Sequence, residues 1–171
     1  FLLFGDVEIS NVVPADQSTT TGIHSMQAFR LRTGIGDAPC EGAPQSGLVV
    51  QTPQGTGSVV FNINGVDIEM GSTVFFQADV DEGMTVSTLE GAAYVSADRG
   101  AQPILAGTWV RVPLDGDFQP SRAPGWPRPY TCRHAIHEAL PLRLLPRTIE
   151  ITPAMDNAQF DIVQANIEAK E

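Results

Sequence analysis

The middle of the chain holds a dipeptide with few allowed backbone conformations, Asn64-Gly65, between two short apolar segments, SVVFNI and VDIEM. Asn-Gly favours the two-residue type I′ turn, because both central residues of that turn need positive φ angles. A turn of this kind joins two adjacent antiparallel strands. The sequence therefore predicts a β-hairpin over residues 58–70.

Short apolar segments and turns continue on both sides of this hairpin. MQAFRLRTG precedes it, and STVFFQAD, MTVSTLE, AAYVSAD, QPILAG and TWVRVPL follow it, separated by glycine or Asp-Glu-Gly. Strand-like segments repeating about every eight to twelve residues are typical of sandwiches and barrels. We therefore predict an all-β fold, an antiparallel β-sandwich of jelly-roll-like form, with a short helical segment and extended terminal segments.

Apolar and polar residues alternate within these segments, and alternation selects one face of each strand for the core. The predicted core residues are Phe61, Ile63, Ile68, Met70, Val74, Phe76, Val86, Val95, Val110 and Val112.

The two ends of the chain differ from this middle part. FLLFGDVEISNVV is predicted as one extended strand, in which Val7 and Ile9 alternate with polar residues. After Leu114, the proline-rich segment DGDFQPSRAPGWPRPYTC is unsuited to a central strand and is expected to cross the surface as a strap. The chain thus divides into a leading strand (1–13), a β-domain (14–114) and a C-terminal part (115–171).

Within the C-terminal part, RHAIHEALPLRLL has a short helical pattern that prolines interrupt, and RTIEITP is predicted as a brief strand. The tail DNAQFDIVQANIEAKE fits two structures. Phe160, Val163 and Ile167 would share one face of a helix, whereas Phe160 and Ile162 would share one face of a strand.

The charge of the chain limits its partners. The net charge is −10, and the basic residues are scattered without a cluster. Nucleic acid and anionic lipid are bound through clustered basic side chains, so we predict neither as a partner. No apolar run approaches the length of a transmembrane helix. FLLF is too short, and lacks the basic flank, to be a whole signal peptide.

The two cysteines, Cys40 and Cys132, each lie in a proline-rich segment. A disulfide between them would close a long loop and contribute about 4 kcal/mol in the chain-entropy model. A bridge would place the protein outside the cytoplasm, at the cell surface or beyond it. The alternative is a pair of reduced thiols. We predict the disulfide, and with it an exported protein.

The segment Cys132-x-His134-x-x-His137-Glu138 is the one candidate metal site in the sequence. His134 and His137 would share one side of a helical turn, and a cysteine or carboxylate would add a ligand. The spacing matches neither H-E-x-x-H nor its inverted form. We favour surface histidines here, and predict no metal, no cofactor and no catalytic residue.

Aromatic and acidic residues give two further alternatives. Trp109, Trp126 and Tyr130 would form a stacking platform for sugar, or would pack against the sheet and hold the proline-rich strap in place. We favour the packing role. The acidic turns at 79–83 and 115–117 lack the converging oxygens that calcium needs, and we predict solvated turns.

Residues 47–114 resemble a known family of domains. The run contains VVQTPQG, MGSTVFFQAD, MTVSTLEGAAYVS and ILAGTWVRVPL, in the order and at the spacing of the FecR-type extracytoplasmic β domain. Met70 stands where that family often has arginine. The resemblance implies an antiparallel β fold outside the cytoplasmic membrane, used for regulation, binding or surface architecture. It implies no catalytic residues.

Two functions follow from these observations. The leading strand presents Phe1, Leu2, Leu3, Phe4, Val7 and Ile9. An exposed apolar strand at the end of a chain either folds back onto its own domain or completes the sheet of a neighbouring copy. We therefore predict a non-enzymatic, secreted or cell-surface structural protein that assembles with other copies into a filament or layer. The alternative is a FecR-like binding or sensing module for a carbohydrate or envelope component.

Overall fold

The fold was analysed in a computed structural model that describes residues 1–12, 27–34, 46–79, 81–130 and 142–168. Within these residues, twelve strands form two six-stranded sheets that pack face to face. The predicted all-β sandwich is therefore confirmed. In the described part of the chain, no helix is long and apolar enough to cross a membrane.

The first sheet, sheet A, consists of β1 (Leu2–Phe4), β4 (Gly47–Gln51), β7 (Thr73–Asp79), β8 (Gly83–Glu90), β11 (Thr108–Val112) and β12 (Arg128–Pro129), in that spatial order. Sheet B consists, in spatial order, of β10 (Gly100–Leu105), β9 (Ala92–Ala97), β6 (Val66–Met70), β5 (Val59–Ile63), β3 (Ala28–Thr33) and β2 (Val7–Asn11). In the described residues, a 3₁₀ turn (Leu142–Leu144) and helix α1 (Asn157–Glu168) follow the strands.

The predicted hairpin joins β5 to β6. Asn64 and Gly65 have φ angles of 55° and 75°, as a type I′ turn requires. Neighbouring strands pair antiparallel throughout, with one exception. β3 pairs parallel to β5, where Ala28 lies opposite Asn62, a pairing that the sequence patterns did not predict.

Asn64 also connects the hairpin to β3. Its buried side chain accepts a hydrogen bond from the Leu31 backbone N–H at 2.9 Å and donates one to the Leu31 carbonyl at 2.8 Å. These two bonds continue the β3–β5 contact beyond the end of β5. The residue that sets the turn therefore also holds two non-adjacent parts of the chain together.

The main core lies between the two sheets. All of the predicted core residues are buried there, together with further apolar residues such as Phe29, Leu31 and Leu48. Alternation was sufficient to find these positions, because one face of each strand is in the sandwich interior.

A second apolar cluster covers the outer face of sheet A. Its buried members are Val49, Phe75, Leu89, Trp109, Tyr130 and Leu145. Ile149 and Ile151 pack against this cluster from the C-terminal part. Sheet A is therefore covered on both faces, whereas the outer face of sheet B carries exposed side chains such as Arg30 and Glu69.

The structure agrees with two of the four patterns predicted for the C-terminal part and corrects one. The fourth, the helical pattern of residues 133–145, lies mostly outside the described residues, which include only the 3₁₀ turn at its end. The strap follows β11, with backbone hydrogen bonds from Ser121 to Pro113 and from Gly125 to Arg111. The tail forms helix α1, one of its two predicted alternatives. The strand predicted for RTIEITP is wrong. This segment packs its isoleucines on the face of sheet A and donates a backbone hydrogen bond to the sheet, from the Thr152 N–H to the Leu89 carbonyl at 3.0 Å. It forms no ladder there, because most backbone groups of the sheet point sideways to neighbouring strands.

Candidate functional site

The first eleven residues, which we call the leading segment, supply an edge strand to each sheet. β1 pairs with β4 at one edge of sheet A, with Leu2 opposite Val49. β2 pairs with β3 at one edge of sheet B, with Ile9 opposite Leu31. One continuous segment therefore closes the same side of the sandwich twice.

The crossing between the two sheets lies at Gly5 and Asp6, so the single extended strand predicted for this segment is instead two strands. The Asp6 backbone N–H donates to the Ser46 hydroxyl at 2.8 Å, and the Asp6 carbonyl accepts from the Gly34 N–H at 3.1 Å. The crossing is thus anchored to residues that flank β4 and β3, the two strands that the leading segment covers.

Phe4 is the main anchor of β1. Its ring stacks on that of Phe75, with 5.6 Å between centroids and an interplanar angle of 14°. Leu2 and Phe4 both pack against the cluster on the outer face of sheet A. Gly47 lies opposite Phe4, and a side chain there would collide with the Phe75 ring and approach the Phe76 carbonyl oxygen to 2.8 Å. Because Gly47 has no side chain, the Phe75 ring has room to lie beside β1.

Phe1 faces the other way, toward the mouth between the sheets. Its ring meets Phe29 edge-on at 6.1 Å and Phe61 at 5.6 Å. Edge-to-face rings at these separations attract each other, and this attraction adds to the stabilisation from the apolar area that they bury. Phe1 is nevertheless 49% exposed and Leu3 is 45% exposed, so the leading segment remains accessible on this face.

The β2 half of the segment is amphipathic, as predicted. Val7 and Ile9 pack against the core between the sheets. On the opposite face, Glu8 lies 3.4 Å from Arg32 of β3, in a cross-strand ion pair whose members are about half exposed. Exposed pairs of this kind contribute at most about 1 kcal/mol, so the apolar contacts dominate the attachment.

The opposite side of the sandwich is different. Its edge strands are β10 and β12, and they carry Pro103 and Pro129. Proline lacks a backbone N–H and hinders the addition of a further strand. The leading segment contains no proline. The two sides of the sandwich thus differ in their capacity to pair with another strand.

Several predicted site residues lie outside the described residues. These are Cys40 and Cys132 of the predicted disulfide and the weak metal candidates His134 and His137. Among the residues that the structure does describe, no three His, Cys, Asp or Glu side chains form a metal-binding group.

In each acidic turn, an aspartate side chain accepts hydrogen bonds from backbone N–H groups of the same turn. One carboxylate oxygen of Asp79 accepts from the N–H groups of Asp81 and Glu82. One carboxylate oxygen of Asp115 accepts in the same way from Asp117 and Gln119. These local bonds stabilise the turns, which gives both aspartates a structural role.

Glu90 holds the C-terminal part to sheet A. Its carboxylate receives two hydrogen bonds from the Arg147 guanidinium, at 2.8 and 2.6 Å. Gln51 adds two more through the Arg147 backbone. The bonds from Arg147 are the main reason that the pKa of Glu90 lies below its usual value. The carboxylate is therefore used in an ion pair that fixes the segment.

Two of the three aromatic residues named for the strap region are buried, and the third is exposed. Trp109 is buried and donates its indole N–H to the Pro129 carbonyl at 3.2 Å. Tyr130 is buried and donates its hydroxyl to the Thr88 carbonyl, and burial raises the pKa of this phenol. Both have the predicted packing role. Trp126 does not, because 61% of it is exposed.

The covered outer face of sheet A was missed by the sequence analysis. The run Val74-Phe75-Phe76 carried a signal for it, because a continuous apolar run indicates a strand buried on both faces. Alternation alone assigned only Val74 and Phe76 to the core. Phe75, which receives Phe4, was therefore not recognised.

No family model, no curated protein and no solved structure matches this chain. The resemblance of residues 47–114 to the FecR-type domain consequently stays a prediction.

Proposed function

We propose that this protein is a non-enzymatic structural protein, secreted or at the cell surface, whose copies assemble by exchanging their leading segments. In the assembly, residues 1–11 of one copy occupy the groove between β4 and β3 of the next. The observation that carries the proposal is that one segment forms an edge strand of both sheets on the same side.

The groove is well suited to receive a strand. Removing the leading segment would expose the backbone edges of β4 and β3 and the rings of Phe29, Phe61 and Phe75. A vacant groove would thus combine unpaired backbone groups with apolar pockets, the two elements of recognition by strand addition. A second copy offers the same segment, with the same contacts.

The connection after the leading segment favours exchange. Residues 12–27 join β2 to β3, many more than the two to five of a tight hairpin. A chain of this length spans at most about 58 Å when fully extended. The segment therefore has enough chain to reach a neighbouring copy, and exchange costs little because the contacts are unchanged.

The asymmetry of the sandwich supports open growth. Each copy would insert its leading segment into the groove of one neighbour and would receive the segment of another neighbour in its own groove. Such a head-to-tail contact builds a filament when the rotation from one copy to the next does not close a ring. The prolines of β10 and β12 protect the other side from unspecific pairing. The exchanged groove would then be the single specific joint between successive copies.

Photo-cross-linking between isotopically distinct copies tests this proposal. Leu3 is replaced by benzoylphenylalanine, since its side chain is partly exposed and its strand partner is Leu48. Assemblies grown from equal amounts of ¹⁴N and ¹⁵N protein are irradiated and digested. We expect cross-linked peptides between residues 1–11 and β4 that combine both isotopes.

A matched control carries the photo-reactive residue at Arg128, on the proline-bearing edge. Its cross-links should join peptides of one isotope only. If the Leu3 variant likewise gives same-isotope cross-links alone, and the protein elutes as a monomer at every concentration tested, the leading segment belongs to its own chain and the proposal is wrong.

A FecR-like extracytoplasmic binding module is the second candidate function. One structural observation favours it, namely an open groove on the side of the sandwich opposite the leading segment, between β10 and α1. The binding function and the assembly function use different surfaces. Substitutions at one surface therefore leave the other intact, and the two candidates can be tested separately.

A further inference from the structure

An open groove lies between the edge strand β10, the strap and helix α1. Pro103 lines it from the strand, Trp126 from the strap, and Phe160 and Val163 from the helix. The groove is thus formed by three separate parts of the chain.

The lining is uncharged. None of the described residues that line the groove is acidic or basic, although the chain carries a net charge of −10. A charged ligand would lose hydration on entering without meeting an opposite charge, which is unfavourable. An anion would also be repelled by the protein as a whole. The groove therefore suits a neutral ligand.

The lining is also amphipathic. Trp126 presents an exposed indole face, and Gln102 and Gln164 add two side-chain amides. Neither amide has a hydrogen-bond partner among the described residues. Each amide offers a donor and an acceptor. A flat aromatic surface can stack on a molecule with C–H groups on its face. The amides beside it can bond to hydroxyl groups at the edge of the same molecule.

We propose that this groove is a binding site for a neutral saccharide, with a sugar ring on Trp126 and its hydroxyl groups on Gln102 and Gln164. A hydroxyl group both donates and accepts, and so satisfies both ends of an amide. A proline-rich peptide is the main competitor, because such peptides dock in aromatic grooves. Its prolines have no N–H to donate, and the amide oxygens would stay unpaired.

The saccharide site is independent of strand exchange, and it gives the binding-module alternative a class of ligand. The leading segment lies at β4 and β3, whereas the groove lies at β10. Loss of saccharide binding would therefore leave the cross-linking result unchanged, and failure of strand exchange would leave the saccharide titration unchanged.

Calorimetric titration of the full chain tests the site. The probes are cellohexaose, chitohexaose and mannohexaose, with hexagalacturonate as a charged saccharide and decaproline as the competing peptide. We expect at least one neutral hexasaccharide to bind, and Trp126→Ala to weaken that binding about tenfold or more. Trp126→Phe, which keeps a flat ring, should retain most of the affinity.

Three controls complete the experiment. Gln164→Ala leaves the indole in place and should weaken binding about threefold to tenfold. Val60→Ala removes an exposed apolar side chain from another strand and should have no effect. The far-ultraviolet circular dichroism of each variant checks folding.

Any one of four outcomes would overturn the proposal. The first three are an absence of heat with every neutral hexasaccharide at about 5 mM, binding that Trp126→Ala leaves unchanged, and binding of decaproline in place of the saccharides. Stronger binding of hexagalacturonate than of its neutral counterparts would equally contradict the inferred uncharged site.

Discussion

The ring of Phe4 lies parallel to the ring of Phe75, with 5.6 Å between their centroids. Phe4 is the last residue of β1, and Phe75 is in β7, two strands away in sheet A. The stack therefore passes over β4 at Gly47, which has no side chain to separate the rings. This contact joins the leading segment to the interior of the sheet.

Truncation of Phe4 should loosen the leading segment. Phe4→Ala removes the stacked ring from a partly buried position, and we expect a loss of about 2–3 kcal/mol in the free energy of unfolding. Leu3→Ala, at a more exposed position of the same strand, should cost less than about 1 kcal/mol. Urea denaturation of both variants measures the difference. Equal losses would mean that Phe4 has no special role.

Gly47 should not tolerate a side chain. In Gly47→Ala the new methyl group would meet the Phe75 ring and lie 2.8 Å from the Phe76 carbonyl oxygen, and we expect a loss of about 1–3 kcal/mol. Gly116→Ala is the matched control, because its added methyl group has no neighbour within 4 Å. Thermal denaturation compares the two variants. A neutral Gly47→Ala would show that the Phe75 ring can move aside without cost, and would contradict the close packing at Gly47.

The side chain of Asn64 should matter beyond its turn. Asn64→Gly keeps the positive φ angle but leaves the Leu31 N–H and carbonyl without their partners, and we expect a loss of about 2–4 kcal/mol. Asp98→Gly is the control. Asp98 also has a positive φ angle, of 50°, in an exposed turn, and its change should be within about 0.5 kcal/mol. Urea denaturation of both variants provides the comparison, and similar losses would refute the role assigned to the Asn64 side chain.

The Glu90–Arg147 pair should make stability depend on pH in the acidic range. The pKa of Glu90 is lower in the folded protein, so the folded state favours the charged carboxylate. Its contribution is complete above the unfolded pKa of about 4.3 and is lost as the pH falls through the lower folded pKa. We therefore expect the melting temperature of Glu90→Gln to lie below that of the original protein at neutral pH, and the difference to shrink in acid.

The magnitude of this effect is limited by solvent. The side chains of Glu90 and Arg147 are 36% and 31% exposed, and added salt should reduce the difference further. Glu82→Gln is the control, because its contact with Arg111 is longer, at 3.7 Å, and more exposed. Melting curves from neutral pH to about pH 3 test both variants. A difference for Glu90→Gln that stays constant over this range would contradict the assigned ion pair.

The periodicity of the sequence was enough to find the sandwich core. Phe61, Ile63 and Ile68 alternate with polar residues, and one buried face per strand produces that pattern. The same reasoning failed for Phe75, because sheet A is buried on both faces and the covering residues come from the two distant ends of the chain. When a distant segment buries the outer face of a strand, the sequence of that strand shows only a weak signal of it.

The candidate sites show the same division. The sequence identified the leading segment as an apolar strand and named Trp126 among the aromatic residues. It did not show that the segment closes both sheets on one side, nor that Trp126 is exposed in a groove with Gln102 and Gln164. These relations join residues far apart in the chain, and no local pattern records them.

By itself, the sequence determined the strand class, the turn at Asn64-Gly65 and the identity of the inner core, because backbone sterics and side-chain alternation act between near neighbours. Only the tertiary structure decided that β3 runs parallel to β5, that Phe4 reaches Phe75, and that α1 faces β10 across a groove. Those outcomes depend on which distant surfaces bury each other, and burial is a property of the folded chain as a whole.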